Sequence, residues 1–174
     1  MRVRSVVATV ALAAAVAMPL AAQENPVQLA LFTPVQLVPE SQGVSVVRLN
    51  LIYSVNRSVK FIDLGFVNVT SGGPSSGVQW AFVAFNRGSF TGWQGAAAAV
   101  TRGPFTGLQS GWYTSAQQGE GVQWGGVNTA ANWNGLQFGL VNFAQRLHGV
   151  QIGFINIIRQ GGQFPVFPIV NWSR

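Results

Sequence analysis

The chain has 174 residues, no cysteine, a formal net charge of +6 and only 8% charged side chains, against about 25% in ordinary soluble domains. With 48% hydrophobic residues and 21 glycines it is not disordered by composition. Lacking a thiol, it has neither disulfides nor a cysteine for lipid attachment, and a single domain is expected.

At the N-terminus, Arg2 and Arg4 precede an apolar run from Val6 to Met18, then Pro19, Leu20, Ala21, Ala22 and the polar Gln23 and Glu24. A basic start, a short apolar stretch and small closing residues predict a secretory signal peptide over 1–22, and the apolar run within it is shorter than the roughly 20 residues that span a bilayer. Its removal leaves 152 residues with eight basic and four acidic side chains. Arg48, Arg57, Lys60, Arg87, Arg102, Arg146, Arg159 and Arg174 are scattered singly. No basic stripe follows a phosphate backbone, so nucleic acid is not an expected partner.

A lead-in over 23–43 comes next, and then a repeat. Gly-x-Gln recurs in register six times, at Gly77-Val78-Gln79, Gly92-Trp93-Gln94, Gly107-Leu108-Gln109, Gly121-Val122-Gln123, Gly135-Leu136-Gln137 and Gly149-Val150-Gln151, spaced by 15, 15, 14, 14 and 14 residues. A small residue stands two positions after each Gln, as at Ala96, Gly139 and Gly153, and Asn128, Asn142 and Asn156 complete a unit G-x-Q-x-G-x-x-N. Two degenerate units precede these, one with Asp63 in the Gln slot and one around Arg48, which makes eight units. The repeat domain is placed at 44–158 and a closing strand or cap at 159–174.

Each unit reads as a strand and a turn, because apolar residues alternate with Gln and Gly. In the best copy Leu136, Phe138 and Leu140 face one way and Gln137, Gly139 and Val141 the other. Down the apolar face, one column runs Trp80, Gly95, Ser110, Trp124, Phe138, Ile152 and the next Phe82, Ala97, Trp112, Gly126, Leu140, Phe154. Large beside small suggests units packed together on that face. Segments such as 71–76, 87–89, 102–104 and 117–120 are turn-forming.

Two all-β architectures fit. One is a β-solenoid with one coil per unit, in which Gln and Asn stack into amide ladders. The other is an antiparallel meander closed into a small outer-membrane barrel of 8–10 strands, with the apolar face on lipid. Pro34, Pro165 and Pro168 suit edges that a closed barrel lacks, and the connections are uniformly short, so the solenoid is the better fit.

The units resemble those of a family of bacterial surface-repeat proteins built from tandem G-[LV]-Q-[IFL]-G-[LF]-[VI]-N. The likeness extends to the lead-in, Val27-Gln28-Leu29-Ala30 and the stretch 46–56, and to the closing segment 164–172. The middle copies depart from it at Ala97, Ala98, Ala99 and Ser110-Gly111-Trp112, which challenges a uniform ladder there. The resemblance implies export to the cell envelope and supplies no catalytic residue.

No chemistry-bearing motif stands out. Glu24, Glu40, Asp63 and Glu120 are far apart in sequence, His148 is the single histidine, and no Gly-x-Ser-x-Gly elbow occurs. No catalytic, metal or cofactor site is predicted. Asp63 is expected to pair with Arg48 one unit away. Trp133, in Asn132-Trp133-Asn134, reads as an exposed turn residue and the best candidate for touching a ligand or headgroup. The expectation is a non-catalytic exported protein at the surface, outer membrane or periplasm. It would act as a scaffold or interaction surface toward a protein or envelope partner, with the membrane a possible one; the alternative is a barrel acting as pore or anchor.

Overall fold

The computed structural model describes residues 24–174; the expected signal peptide lies outside them. Seven strands follow in chain order: β1 (Glu24–Phe32), β2 (Val35–Gln36), β3 (Gly43–Asn56), β4 (Lys60–Thr70), β5 (Ser75–Asn86), β6 (Phe90–Gln160) and β7 (Val166–Ser173). All belong to one sheet in the order β2-β1-β3-β4-β5-β6-β7, and no helix forms among the described residues.

The length of β6, 71 residues, decides the architecture. Straight, such a strand would reach about 230 Å. Instead Gln109 donates to Gln94 at 2.8 Å, Gln123 to Gln109 at 2.8 Å, Gln137 to Gln123 at 2.6 Å and Gln151 to Gln137 at 2.6 Å. Residues one unit apart therefore lie directly above one another. β6 alone winds through about five turns of a β-solenoid.

The same register continues toward the N-terminus through parallel pairs. Gln79 aligns with Gln94, Asp63 with Gln79, Arg48 with Asp63 and Gln28 with Arg48. A barrel requires antiparallel neighbours throughout, so these parallel pairs overturn that alternative. Among the described residues antiparallel pairing occurs only at the two ends of the stack, where β2 returns along β1 and β7 along the last coil. Each end strand leaves one edge without a partner, and Pro168 within β7 sits where a missing N–H is tolerated.

The two faces of each unit are assigned inside out relative to ordinary globular packing. Gln79, Gln94, Gln109, Gln123, Gln137 and Gln151 are fully buried, as are Asn128, Asn142 and Asn156. Leu140, Phe138 and their counterparts in the two apolar columns face outward, with Trp112 74% and Phe154 77% exposed. The expected packing between units on that face is present: a Cβ on Gly95 would lie 2.7 Å from the Trp80 ring, and one on Gly126 2.7 Å from the Trp112 ring. Each large side chain thus lies across the small residue of the next coil, on an outer surface.

Inside, apolar residues gather at one corner, where Phe90, Phe105, Trp133, Leu147 and Ile158 stack with Ala116, Ala130 and Ala144. The remaining interior is small or amide-bearing. A coil of 14 or 15 residues encloses little space, and a Gln spanning it satisfies both its neighbours and the far wall. Gln123 Nε2, for example, also reaches the Thr129 carbonyl at 3.2 Å, so the buried amide is hydrogen-bonded along and across the stack.

Candidate interaction surface

The Gly-x-Gln motif sets the geometry of the surface by fixing each coil on the one below. Gly77, Gly92, Gly107, Gly121, Gly135 and Gly149 all adopt φ between 103° and 143°, a region open essentially to glycine alone. A Cβ on Gly107 would also overlap the Gly92 carbonyl. Two residues on, the Gln ladder passes without a break through the middle copies, whose later residues depart from the repeat. It ends on Asp63, whose Oδ2 accepts from Gln79 Nε2 at 2.6 Å.

As expected, Asp63 pairs with Arg48. The contact is bidentate, with Nε to Oδ1 and Nη2 to Oδ2 both 2.7 Å, and it is buried. The Asn ladder runs the opposite way: Asn128 Nδ2 donates to Asn142 Oδ1 at 2.8 Å and Asn142 to Asn156 at 2.7 Å. Its slot holds Ala84 and Ala99 in the middle copies. There the buried polar groups move two residues along, to Asn86 and Thr101, which donate to Gln79 and Gln94.

On this frame the coil presents three outer sides, seen in the unit at 136–149. The first, 136–140, presents Leu136, Phe138 and Leu140. The second, 141–144, begins where Leu140 and Val141 both turn outward, as do Phe82–Val83, Trp112–Tyr113 and Phe154–Ile155 in their coils. Two consecutive outward side chains break the strand alternation and mark a convex corner. The third side, 145–149, is polar: Gln145, Arg146 and His148 are exposed there, as are Arg87, Arg102, Glu120 and Arg159 at matching positions. The Arg102 guanidinium lies 5.1 Å from the Phe85 ring centre and that of Arg159 6.0 Å from Phe143. These arginines fold from the polar side over the rim of the second apolar side.

The first side is corrugated. Gly95, Ala97 and Ser110 form a trough of about 620 Å³ between Trp80, Trp112 and Trp124. A second trough, about 560 Å³, lies between Trp112, Trp124, Phe138 and Phe154 over Gly126. Both are open and mostly apolar, so they offer contact area with few orienting polar groups.

Trp133 is a correction. It is only 2% exposed, and its ring stacks 6.0 Å from Phe105 and fills the space over Gly119. It cannot reach a ligand, and its flanking asparagines alone are exposed. The second apolar side was not singled out from the sequence; its signal was the outward pair that interrupts each alternation.

The remaining candidates stay apart. Asp63 is enclosed and its oxygens are engaged by Arg48 and Gln79, while His148 is exposed on the polar side about six coils away, about 29 Å at one strand spacing per coil. Glu24 binds Lys60 at 2.7 Å. Among the described residues no three His, Cys, Asp or Glu side chains gather as a metal site would need. Comparison with protein-family models, with curated proteins and with solved structures finds no match.

Proposed function

We infer that the chain is a non-catalytic scaffold of the cell envelope, exported and held at the surface, which acts by binding through the apolar sides of its solenoid. The same reading groups it with the surface-repeat proteins that its units resemble. The observation behind it is the continuous outward apolar surface, from Leu29 and Leu49 through Trp80, Trp112 and Phe138 to Phe154. Isolated exposed apolar residues are ordinary, but patches beyond a few hundred Å² mark interaction sites. A stack pinned coil by coil presents such a surface without rearrangement, which lowers the cost of binding.

The test is cell fractionation of the epitope-tagged full chain beside its Trp112→Ser/Phe154→Ser variant. Both positions are highly exposed, so the variant should keep its strand signature by circular dichroism. The parent should be recovered with the envelope and the variant released from it. Recovery of the parent in the cytoplasm, or equal retention of the two, would contradict the proposal.

A further inference from the structure

We propose that the partner of the apolar sides is a lipid surface bearing anionic headgroups, on which the solenoid lies with its axis in the plane of the interface. This rests on the reading of those sides as the binding surface and names what they bind.

Shape is the first argument. The two apolar sides meet at a convex corner marked by Trp112–Tyr113 and Phe154–Ile155. A second copy or any flat protein face covers one side and leaves the other in water, whereas a fluid acyl phase wraps both. Backbone pairing is the second. Hydrogen bonds between parallel coils run along the axis, so neither apolar side presents an unpaired sheet edge, which lipid does not tolerate. Charge is the third. Outside the buried Arg48–Asp63 pair, the described residues hold seven basic and three acidic side chains. Arg102 and Arg159 lie over rim aromatics, where a guanidinium would stand at headgroup depth while its stem covers apolar surface.

The experiment is flotation of the purified full chain with vesicles of phosphatidylcholine alone and with vesicles that also contain phosphatidylglycerol. The chain should float with both and more completely with the second, and its tryptophan emission should be quenched by acyl-brominated lipid. Replacing Arg87, Arg102 and Arg159 together by Ser should lower partitioning onto the anionic vesicles about 100-fold, roughly fivefold per arginine, and leave the neutral vesicles unaffected. Phe154→Ser/Ile155→Ser should weaken both, with the strand signature intact. Equal binding to both vesicles by parent and triple variant overturns the anionic assignment. Absence of flotation, with a discrete dimer by sedimentation, overturns lipid in favour of a second copy. A chain retained in the envelope that ignores both vesicles overturns this inference and leaves the scaffold reading standing; one that floats yet fractionates with the cytoplasm sinks the scaffold reading alone.

Discussion

Asp63 gives the Gln ladder its direction. Its two oxygens accept three hydrogen bonds, from Arg48 Nε, Arg48 Nη2 and Gln79 Nε2. With a carboxylate at the foot of the column, Gln79 must turn its NH₂ toward it, and each later Gln then donates to the oxygen below. Arg48 neutralises that charge and also donates to the Val69 carbonyl at 2.8 Å. Removing one partner strands a buried charge, whereas removing both need not. Asp63→Ala or Arg48→Ala alone should each cost about 3–5 kcal/mol in urea unfolding. Arg48→Met/Asp63→Leu should be more stable than either single variant, and a double variant as unstable as the sum of the two would refute this account. The pair was legible in the sequence, because one unit of offset placed the only acid of the Gln slot beside the preceding arginine. Trp133 was not: its asparagine neighbours imitate a turn, and only alignment with Phe90, Phe105 and Leu147 exposes its inward column.

At the scale of the coil, the repeat period could be read from spacing alone, whereas the parallel stack and its ladders were one of two architectures that the spacing allowed, favoured by the placement of Pro34, Pro165 and Pro168 and by the short connections. Which face turns inward could not be read from spacing. Alternation says that Gln137 and Phe138 point opposite ways, and the usual preference for burying Phe selects the wrong one. The narrow interior reverses that preference, since a bulky side chain at each inward position of the Gln strand would force the walls apart. Small inward residues and glycines follow from the same constraint, and they rank two substitutions against intuition. Gly107→Ala adds one carbon at φ +129°, against the Gly92 carbonyl, and should cost on the order of 3 kcal/mol. Gly126→Leu adds far more, but on the outer surface, where it meets the Trp112 ring at 2.7 Å and the Trp112 carbonyl at 3.0 Å; it should cost about 1–3 kcal/mol, the smaller part of the pair. Denaturation midpoints in the reverse order would show that the glycine column does not set the coil.

For the whole molecule, nearest-neighbour stacking makes each unit a separable layer. Deleting 123–136, one 14-residue unit that joins Val122 to Gln137, keeps every column in register. The shortened chain should retain its strand signature and a cooperative transition at a lower melting temperature. Deleting 123–129, half a unit, sets inward against outward positions in all later coils and should abolish the fold. Equal tolerance of the two deletions by circular dichroism and thermal melting would exclude a stack held in register by its ladders.

The antiparallel return of β7 over the last coil, with Gln151 opposite Asn171 and Gly149 opposite Ser173, has a mechanical meaning. Tension on the C-terminus meets this clasp first and must strip it before the wound part yields. Beyond it, neighbours in the chain are neighbours in the stack, so the load falls on one coil at a time. Each coil that peels away releases about 45 Å of slack. A chain tethered at its C-terminal end would therefore pay out in even steps under strain, as a spool does, while the coils still wound keep their grip.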